Sequence, residues 1–286
     1  MRDDFCILIL SYNRPDSVKT VDTLKEHGYT GDWYIVIDHE DDYDSYIKQF
    51  GEERVVYLDK DDALPELDRM DNFNRRNCNV YARHQSFELA NELGYDYFGL
   101  FDDDYEDFRY RWTHEGEYDN TNKIKDLDRH FELMIEYLDT ADLDSFAMSQ
   151  SGDWLGGTNA SIANGQGDIS ARRKVMNTFI CKSDKPFAFR GSLNEDVNAY
   201  VREAQLGKLF LTHGITDVSQ ERTQQHEGGL TDAYLDDGTY VKSFYTVLLS
   251  PSSIKIGGLG EGSKRIHHHV NWRNTVPKIV PESAKK

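Results

Sequence analysis

The sequence predicts an α/β protein with a mixed, mostly parallel central sheet and helices on both of its faces. Two observations lead to this fold class. Between residues 5 and 101, short apolar runs of strand length alternate with segments that repeat apolar residues at helical spacing. Strand–helix–strand alternation is typical of parallel sheets whose connecting helices cover them. The chain has 286 residues, including 17 Tyr and 14 Phe, which is enough to bury a substantial core.

Each element of the first half follows from a local pattern. The apolar run "FCILIL" at 5–10 is typical of a buried strand. The segment 15–27 predicts a helix, because Val18, Val21 and Leu24 share one face and Gly28 ends the pattern. Further strands are predicted at 33–38, 54–59 and 95–101, and a second helix at 80–93, which ends before Gly94.

The second half alternates less regularly. A long loop rich in Gly and Asn at 151–168 has the length of a lid or binding loop. Helices are predicted at 126–138, 193–207 and about 239–249, strands at 144–149, 175–181 and 208–212, and an irregular basic tail at the end.

Composition excludes several classes of protein. Acidic residues outnumber basic ones 51 to 33, and the formal charge of −18 argues against non-specific adhesion to nucleic acid or to an anionic membrane. The three cysteines are far apart, which is unlike a zinc finger and is typical of a reducing compartment. No segment has the length of a membrane span or a signal peptide. We therefore expect a cytoplasmic protein without membrane contact.

Polar residues follow four of the predicted strands. In parallel sheets, ligands bind beyond the carboxyl ends of the strands, so these residues form the candidate site. They are Ser11, Tyr12, Asn13 and Arg14, then Asp38 and His39, then Asp59 and Lys60, and finally Asp102, Asp103 and Asp104.

The three consecutive aspartates repel one another and require compensation. Mg²⁺ and Mn²⁺ prefer oxygen ligands and commonly lie between protein carboxylates and substrate phosphates. A divalent cation is therefore favoured over a merely acidic loop or a helix cap.

In order and spacing, the first 110 residues resemble the GT-A nucleotide-sugar transferases. The motifs that carry the resemblance are "ILILSYNRP", Asp38 after the second strand, and Asp102-x-Asp104 after a helix–strand pair. The resemblance implies that Ser11, Tyr12, Asn13, Arg14 and Asp38 hold the nucleoside. It also implies that Asp102 and Asp104 bind Mn²⁺ or Mg²⁺ and, through it, the donor diphosphate, with help from Asp103.

The same resemblance implies one catalytic domain at 1–262 and a basic tail at 263–286. The donor half would be about 1–110 and the acceptor half about 111–262. Lys60, Arg83 and Trp154 are expected to contact substrate, Arg83 as a cation for the diphosphate.

The GT-A resemblance also implies a later acidic motif, which "NEDVNAYV" supplies. Glu195 or Asp196 would be the base that takes the acceptor's proton during an inverting transfer. The alternative is that both residues only complement the dipole of the helix they open. His226 is the expected further metal ligand, and His213 is its competitor.

Three basic patches interrupt the acidic sequence, at 69–84, 171–174 and 264–273. Such patches suit phosphate contacts and base stacking, although they can equally pair with the protein's own acids. The compact layout and the segments "RHQSFELANELGYDYFGLFDDDY" at 83–105, "NEDVNAYVREAQLGKLFLTHGITDVSQ" at 194–220 and "HEGG" at 226–229 make the whole chain similar to the phage TET-associated glycosyltransferases. This similarity implies a duplex DNA acceptor with 5-hydroxymethylcytosine, a flipped base, and action in the host-cell cytoplasm.

Other functions remain open at this point. A GT-A enzyme could act on a glycan, a protein or a small molecule. A metal-dependent phosphoesterase or nuclease would also use aspartate clusters, but it usually needs histidines beside them. A calcium-binding protein is disfavoured, because neither acidic run has the glycine and terminal glutamate of an EF-hand loop.

Overall fold

The computed structural model describes residues 1–38, 43–60, 67–72, 78–160, 162–163, 171–220, 241–259 and 265–277. Its strands are β1 Phe5–Leu10, β2 Asp32–Ile37, β3 Val55–Tyr57, β4 Tyr97–Asp102, β5 Tyr105–Tyr110, β6 Ser145–Gln150, β7 Ala171–Arg172, β8 Phe179–Lys182, β9 Phe210–Gln220, β10 Ile254–Leu259 and β11 Arg265–Val270. Its α-helices are α1 Thr20–Glu26, α2 Tyr43–Phe50, α3 Val80–Glu92, α4 Leu127–Thr140, α5 Glu195–Gln205 and α6 Lys242–Leu249.

The described strands β1 to β9 form one mixed sheet in the order β3-β2-β1-β4-β8-β6-β9-β5, and β7 also pairs with β9. The strands β1, β2, β3 and β4 are mutually parallel. β8 is antiparallel to both β4 and β6, so β6 and its parallel partner β9 run in the same direction as β1. The predicted mixed, mostly parallel α/β fold is confirmed.

Strand β1 shows why both faces of the sheet carry helices. Its side chains alternate between two cores, as the period of a strand requires. Cys6, Leu8 and Leu10 pack with the apolar residues of α3 and α5, whereas Phe5, Ile7 and Ile9 pack with those of α1 and α4. All six residues are buried, so β1 lies at the centre of the protein.

Three elements differ from the sequence prediction. Helix α2 occupies part of the acidic run 38–46, and β5 begins directly after the aspartates at 102–104. The prediction of an irregular basic tail is wrong at 265–270, because β11 pairs with β10 in a separate two-stranded sheet. Strands β5 and β11 form because each pairs with a neighbouring strand, although their polar residues make the alternating apolar pattern hard to recognise in the sequence.

The described helices include none that is long and apolar enough to cross a membrane.

Candidate active site

The strand ends that carry the predicted site residues converge on one edge of the sheet. Leu10, the last residue of β1, is in register with Val36 of β2 and with Asp102 of β4. Because these strands are parallel, the residues that follow them leave the sheet side by side. The structure thus brings together the first loop, Asp38 and the three aspartates.

Asp103 lies inside this edge and organises the first loop. Its side chain is 1% exposed, and it accepts hydrogen bonds from Ser11 Oγ at 2.6 Å and from Arg14 Nε at 2.8 Å. Arg14 Nη2 contacts the second carboxylate oxygen, so the pair is bidentate. Burial raises the pKa of Asp103, and the Arg14 guanidinium opposes that shift. Asp103 therefore holds Ser11 and Arg14 in place.

Asp104 is the aspartate without such compensation. Its carboxyl is partly buried, and within the described part of the chain its buried Oδ1 has no hydrogen-bond partner. Burial, together with the charges of Asp102 and Asp103, raises the pKa of Asp104 to about 7. The charge of Arg14 opposes this shift only in part, and a divalent cation beside Asp104 would stabilise the carboxylate further.

The donor set beside Asp104 fits such a cation, since Asp102 and Asp104 offer only oxygen ligands. Among the described residues, no group of three or more His, Cys, Asp or Glu side chains is arranged to hold a metal ion. Proteins usually bind Mg²⁺ through one or two carboxylates, and substrate phosphates supply further ligands. The predicted third ligand, His226, lies outside the described residues.

A buried lysine completes the first-loop side of the site. Lys60 is 3% exposed, and its Nζ lies 2.6 Å from Asp38 Oδ2. The same ammonium group faces the rings of Tyr12 and Tyr81, each 5.3 Å away. The neighbouring Asn13 takes a left-handed conformation with φ 54°. The loop residues and Asp38 therefore surround one buried positive charge.

Arg83 of α3 connects the two halves of the site. It is 5% exposed, and its guanidinium lies over the rings of Phe179 and Phe189. Arg83 Nη2 is 3.5 Å from Asp102 Oδ1, and Nη1 is 3.4 Å from Glu195 Oε1. One buried cation thus joins the proposed metal carboxylate to the proposed catalytic helix.

Glu195 and Asp196 open α5, as the sequence predicts, but their environments differ. Glu195 is 4% exposed and faces Arg83, and burial raises its pKa to about 7. Asp196 is more exposed, and its Oδ1 accepts a hydrogen bond from Val197 N at 2.8 Å. Burial also raises the pKa of Asp196. Of the two carboxylates, Asp196 is the more accessible to a substrate.

Two further predicted residues contact other parts of the fold. Trp154 is buried in a small core with Ala160 and Ile162, and its Nε1 donates to Ser149 Oγ at 2.8 Å. His213 packs against Phe146 and His130, and burial lowers its pKa to about 3. A substrate contact by Trp154 stays a prediction.

Sequence reasoning missed Tyr46, whose hydroxyl lies 2.7 Å from Ser11 Oγ and accepts from Arg14 N at 3.2 Å. Its helix, α2, is hidden in an acidic run. The signal was present, because Tyr43, Tyr46, Ile47 and Phe50 are spaced as i, i+3, i+4 and i+7.

A mostly parallel sheet with carboxylates beyond its strand ends is compatible with many enzyme classes, so the class is identified by comparison with known families. A family model described as TET-Associated Glycosyltransferase matches residues 5–229. The chain belongs to the TET-associated glycosyltransferase family, and it is an enzyme of the glycosyltransferase class.

The chain was also compared with curated proteins and with solved structures. No curated protein matches the sequence significantly. Among solved structures, glucosyl-3-phosphoglycerate synthase from Mycobacterium tuberculosis, solved in complex with Mn²⁺, uridine-diphosphate and phosphoglyceric acid, shares 11% sequence identity. That alignment covers 94% of this chain and 87% of the synthase, with a TM-score of 0.46.

Proposed function

We propose that this enzyme transfers a sugar from a uridine-diphosphate sugar to the hydroxyl of 5-hydroxymethylcytosine in duplex DNA, with inversion at the anomeric carbon. The observation that carries the proposal is the bridge by Arg83, which is 3.5 Å from Asp102 and 3.4 Å from Glu195. Because Asp102 would face the donor diphosphate and Glu195 adjoins the proposed base, their shared contact with Arg83 supports one common centre for donor and base.

On the donor side, Asp102 and Asp104 would hold Mn²⁺ or Mg²⁺. When bound, the cation supplies positive charge that stabilises the diphosphate leaving group. Asp38, Tyr12 and the loop around Asn13 would surround the nucleoside, beside the buried Lys60. Asp103 keeps Ser11 and Arg14 in position for the same pocket.

On the acceptor side, Asp196 would be the base. Its carboxylate takes the hydroxyl proton while the acceptor oxygen forms a bond to the anomeric carbon. The bond from that carbon to the diphosphate oxygen breaks, and the diphosphate leaves with the electron pair. Glu195, enclosed beside Arg83, would position that arginine and influence the protonation of Asp196.

A DNA acceptor needs a basic surface on a protein with a formal charge of −18. Arg173 Nη2 donates to Thr275 O at 3.3 Å, so the patch 171–174 lies near the residues that directly follow the patch 264–273. This contact supports a local positive face on an otherwise acidic protein.

The test incubates the purified enzyme with Mn²⁺, a panel of nucleotide sugars, and duplex DNA with or without 5-hydroxymethylcytosine. Digested nucleosides are then analysed by mass spectrometry. We expect a gain of one sugar mass on the modified base alone, and loss of that gain in Asp104→Asn. The matched control is Asp22→Asn, a removal of an aspartate whose side chain is 84% exposed on α1.

The other outcomes are equally informative. Hydrolysis of a donor without any mass gain on DNA would overturn the DNA acceptor and leave the transferase activity. If no donor is consumed under any condition, the proposed donor site is wrong.

A further inference from the structure

Three buried polar side chains meet at the start of α5. Asn194 precedes the helix, Thr246 belongs to α6, and His268 belongs to β11; all three are at most 9% exposed. Asn194 Nδ2 donates to Thr246 Oγ1 at 2.8 Å and lies 3.3 Å from His268 Nδ1. Both hydrogens of the asparagine amide are therefore used in contacts to the C-terminal elements.

The direction of the second contact follows from its chemistry. An amide nitrogen can only donate, so His268 accepts through Nδ1 and carries its own proton on Nε2. Burial lowers the pKa of His268 to about 3, in keeping with a neutral ring. A neutral imidazole with Nε2–H is the form that can serve as this acceptor.

The backbone conformation of Asn194 explains why its side-chain contacts matter for the start of α5. Its φ of 62° and ψ of 29° lie in the left-handed region, which few residues other than glycine adopt readily. Its side chain does not cap its own helix. The amide group instead anchors the turn that determines where Glu195 and Asp196 begin the helix.

The residues that hold Asn194 lie outside the part of the chain that the family model matches. The family model ends at residue 229, whereas α6 begins at Lys242 and β11 at Arg265. The C-terminal elements also contact the segment 67–72, because Tyr245 Oη donates to Asp71 Oδ2 at 2.6 Å. They therefore hold the start of α5 and a loop of the donor half at once.

We propose that His268 is a positioning residue for the transfer reaction, acting through Asn194 and Thr246 to hold the first turn of α5. The β10–β11 hairpin then acts as a clamp that keeps Asp196 in line with the donor. This inference rests on the proposed function, because it assigns the clamp its purpose from the catalytic role of that turn.

Paired substitutions separate positioning from folding. His268→Leu removes the acceptor, whereas His268→Asn places an amide oxygen close to the former Nδ1 and should restore the contact. Asn194→Gly keeps the left-handed backbone and removes only the side-chain contacts. His269→Leu is the control, because His269 is exposed on the opposite face of the same strand.

For His268→Leu we expect kcat to fall about 10- to 100-fold with the donor KM unchanged, since small misplacements of a catalytic group have effects of this size. His268→Asn should recover to within a few-fold of the parent enzyme. The Asn194→Gly/His268→Leu double variant should be no slower than Asn194→Gly alone, because the contact that His268→Leu removes is already absent there.

Hydrogen exchange provides a readout that does not depend on activity. The amides of 195–198 should exchange faster in His268→Leu, while those of α4 keep their rates. If His268→Leu exchanges and turns over like His269→Leu, the clamp does not exist. If exchange changes as expected but the parent enzyme transfers no sugar, the proposed function fails and the structural clamp stands.

Discussion

Three adjacent aspartates at the end of β4 have three different environments, although the residue type is the same. Asp103 is enclosed by Ser11 and Arg14, and Asp102 lies 3.5 Å from Arg83. Asp104 has a buried oxygen without a hydrogen-bond partner among the described residues. Because successive side chains point in different directions here, one motif combines a structural anchor with an uncompensated charge.

The first prediction contrasts two of these aspartates. Asp104→Asn should reduce turnover at least about 100-fold, because under the proposed function it removes a carboxylate that would hold the cation beside the leaving group. Its free energy of unfolding should stay the same or rise, since the substitution removes a repelled charge. Asp103→Asn should lower the free energy of unfolding by about 2–3 kcal/mol, because it breaks a buried ion pair.

Urea denaturation and turnover, measured on both variants, check this contrast. Equal losses of stability in the two variants would show that Asp104 is structural as well.

The second prediction concerns the base. Asp196→Asn should lower kcat by about 10²- to 10⁴-fold, the usual contribution of a general base. A base must be deprotonated to work, and burial raises the pKa of Asp196 and brings that of Glu195 to about 7. The rate should therefore rise with pH over a range above the ordinary pKa of an aspartic acid, and level off at higher pH.

The pH profile of kcat checks this prediction. Glu195→Gln should shift the rising limb to lower pH, because it removes a negative charge beside Asp196. A full rate in Asp196→Asn would move the catalytic assignment to Glu195.

At the scale of elements, a buried ion pair joins β5 to β9. Arg111 Nη2, just beyond β5, is 2.6 Å from Asp217 Oδ2, and their side chains are 6% and 0% exposed. Ser151 Oγ, in the turn after β6, donates to the same carboxylate at 2.9 Å. The pair thus holds three elements together.

The third prediction tests that pair. Asp217→Leu or Arg111→Met alone should lower the free energy of unfolding by about 3–5 kcal/mol, because each leaves a buried charged partner uncompensated. The double variant Arg111→Met/Asp217→Leu should recover much of the loss. Chemical denaturation gives the interaction energy from the double-mutant cycle, and purely additive losses would contradict the ion pair's importance.

Sequence patterns predicted the elements around the sheet well where apolar periodicity was clear. Strand β1 and helices α3, α4 and α5 are within a few residues of their predicted limits. Helix α2 and strand β5 were missed, because each begins within or directly after a run of acidic residues. In β5, Asp107 is buried yet paired with His27, Arg109 and Lys123, partners that no local pattern reveals.

At the scale of the molecule, two buried histidines link folding to pH. Burial lowers the pKa of His130 to about 4 and that of His213 to about 3, and their rings are 5.7 Å apart. Both stay neutral in the folded state, whereas in the unfolded chain they become protonated below about pH 6.5. Their contribution to stability is therefore complete above that pH and is lost progressively as pH falls towards 4.

The fourth prediction follows from this loss of stability at low pH. Between about pH 4 and 6, the free energy of unfolding should change less steeply with pH in His213→Asn than in the parent protein. The two slopes should differ by up to about 1.4 kcal/mol per pH unit, the value for one proton. Buried carboxylates also make the free energy of unfolding depend on pH, but they are the same in both proteins, so their effect cancels in the difference. Parallel stability curves for the two proteins would show that His213 is protonated in the folded state.

The α/β class, the polar strand ends and the acidic start of α5 could be predicted from the sequence, because apolar periodicity and the residues that follow each strand are local features. The contacts within the candidate site depend on the tertiary structure. Only the fold brings Arg83 between Asp102 and Glu195, and only the fold places His268 against Asn194. These contacts join residues far apart in the chain, so burial and distance, rather than any local pattern, determine them.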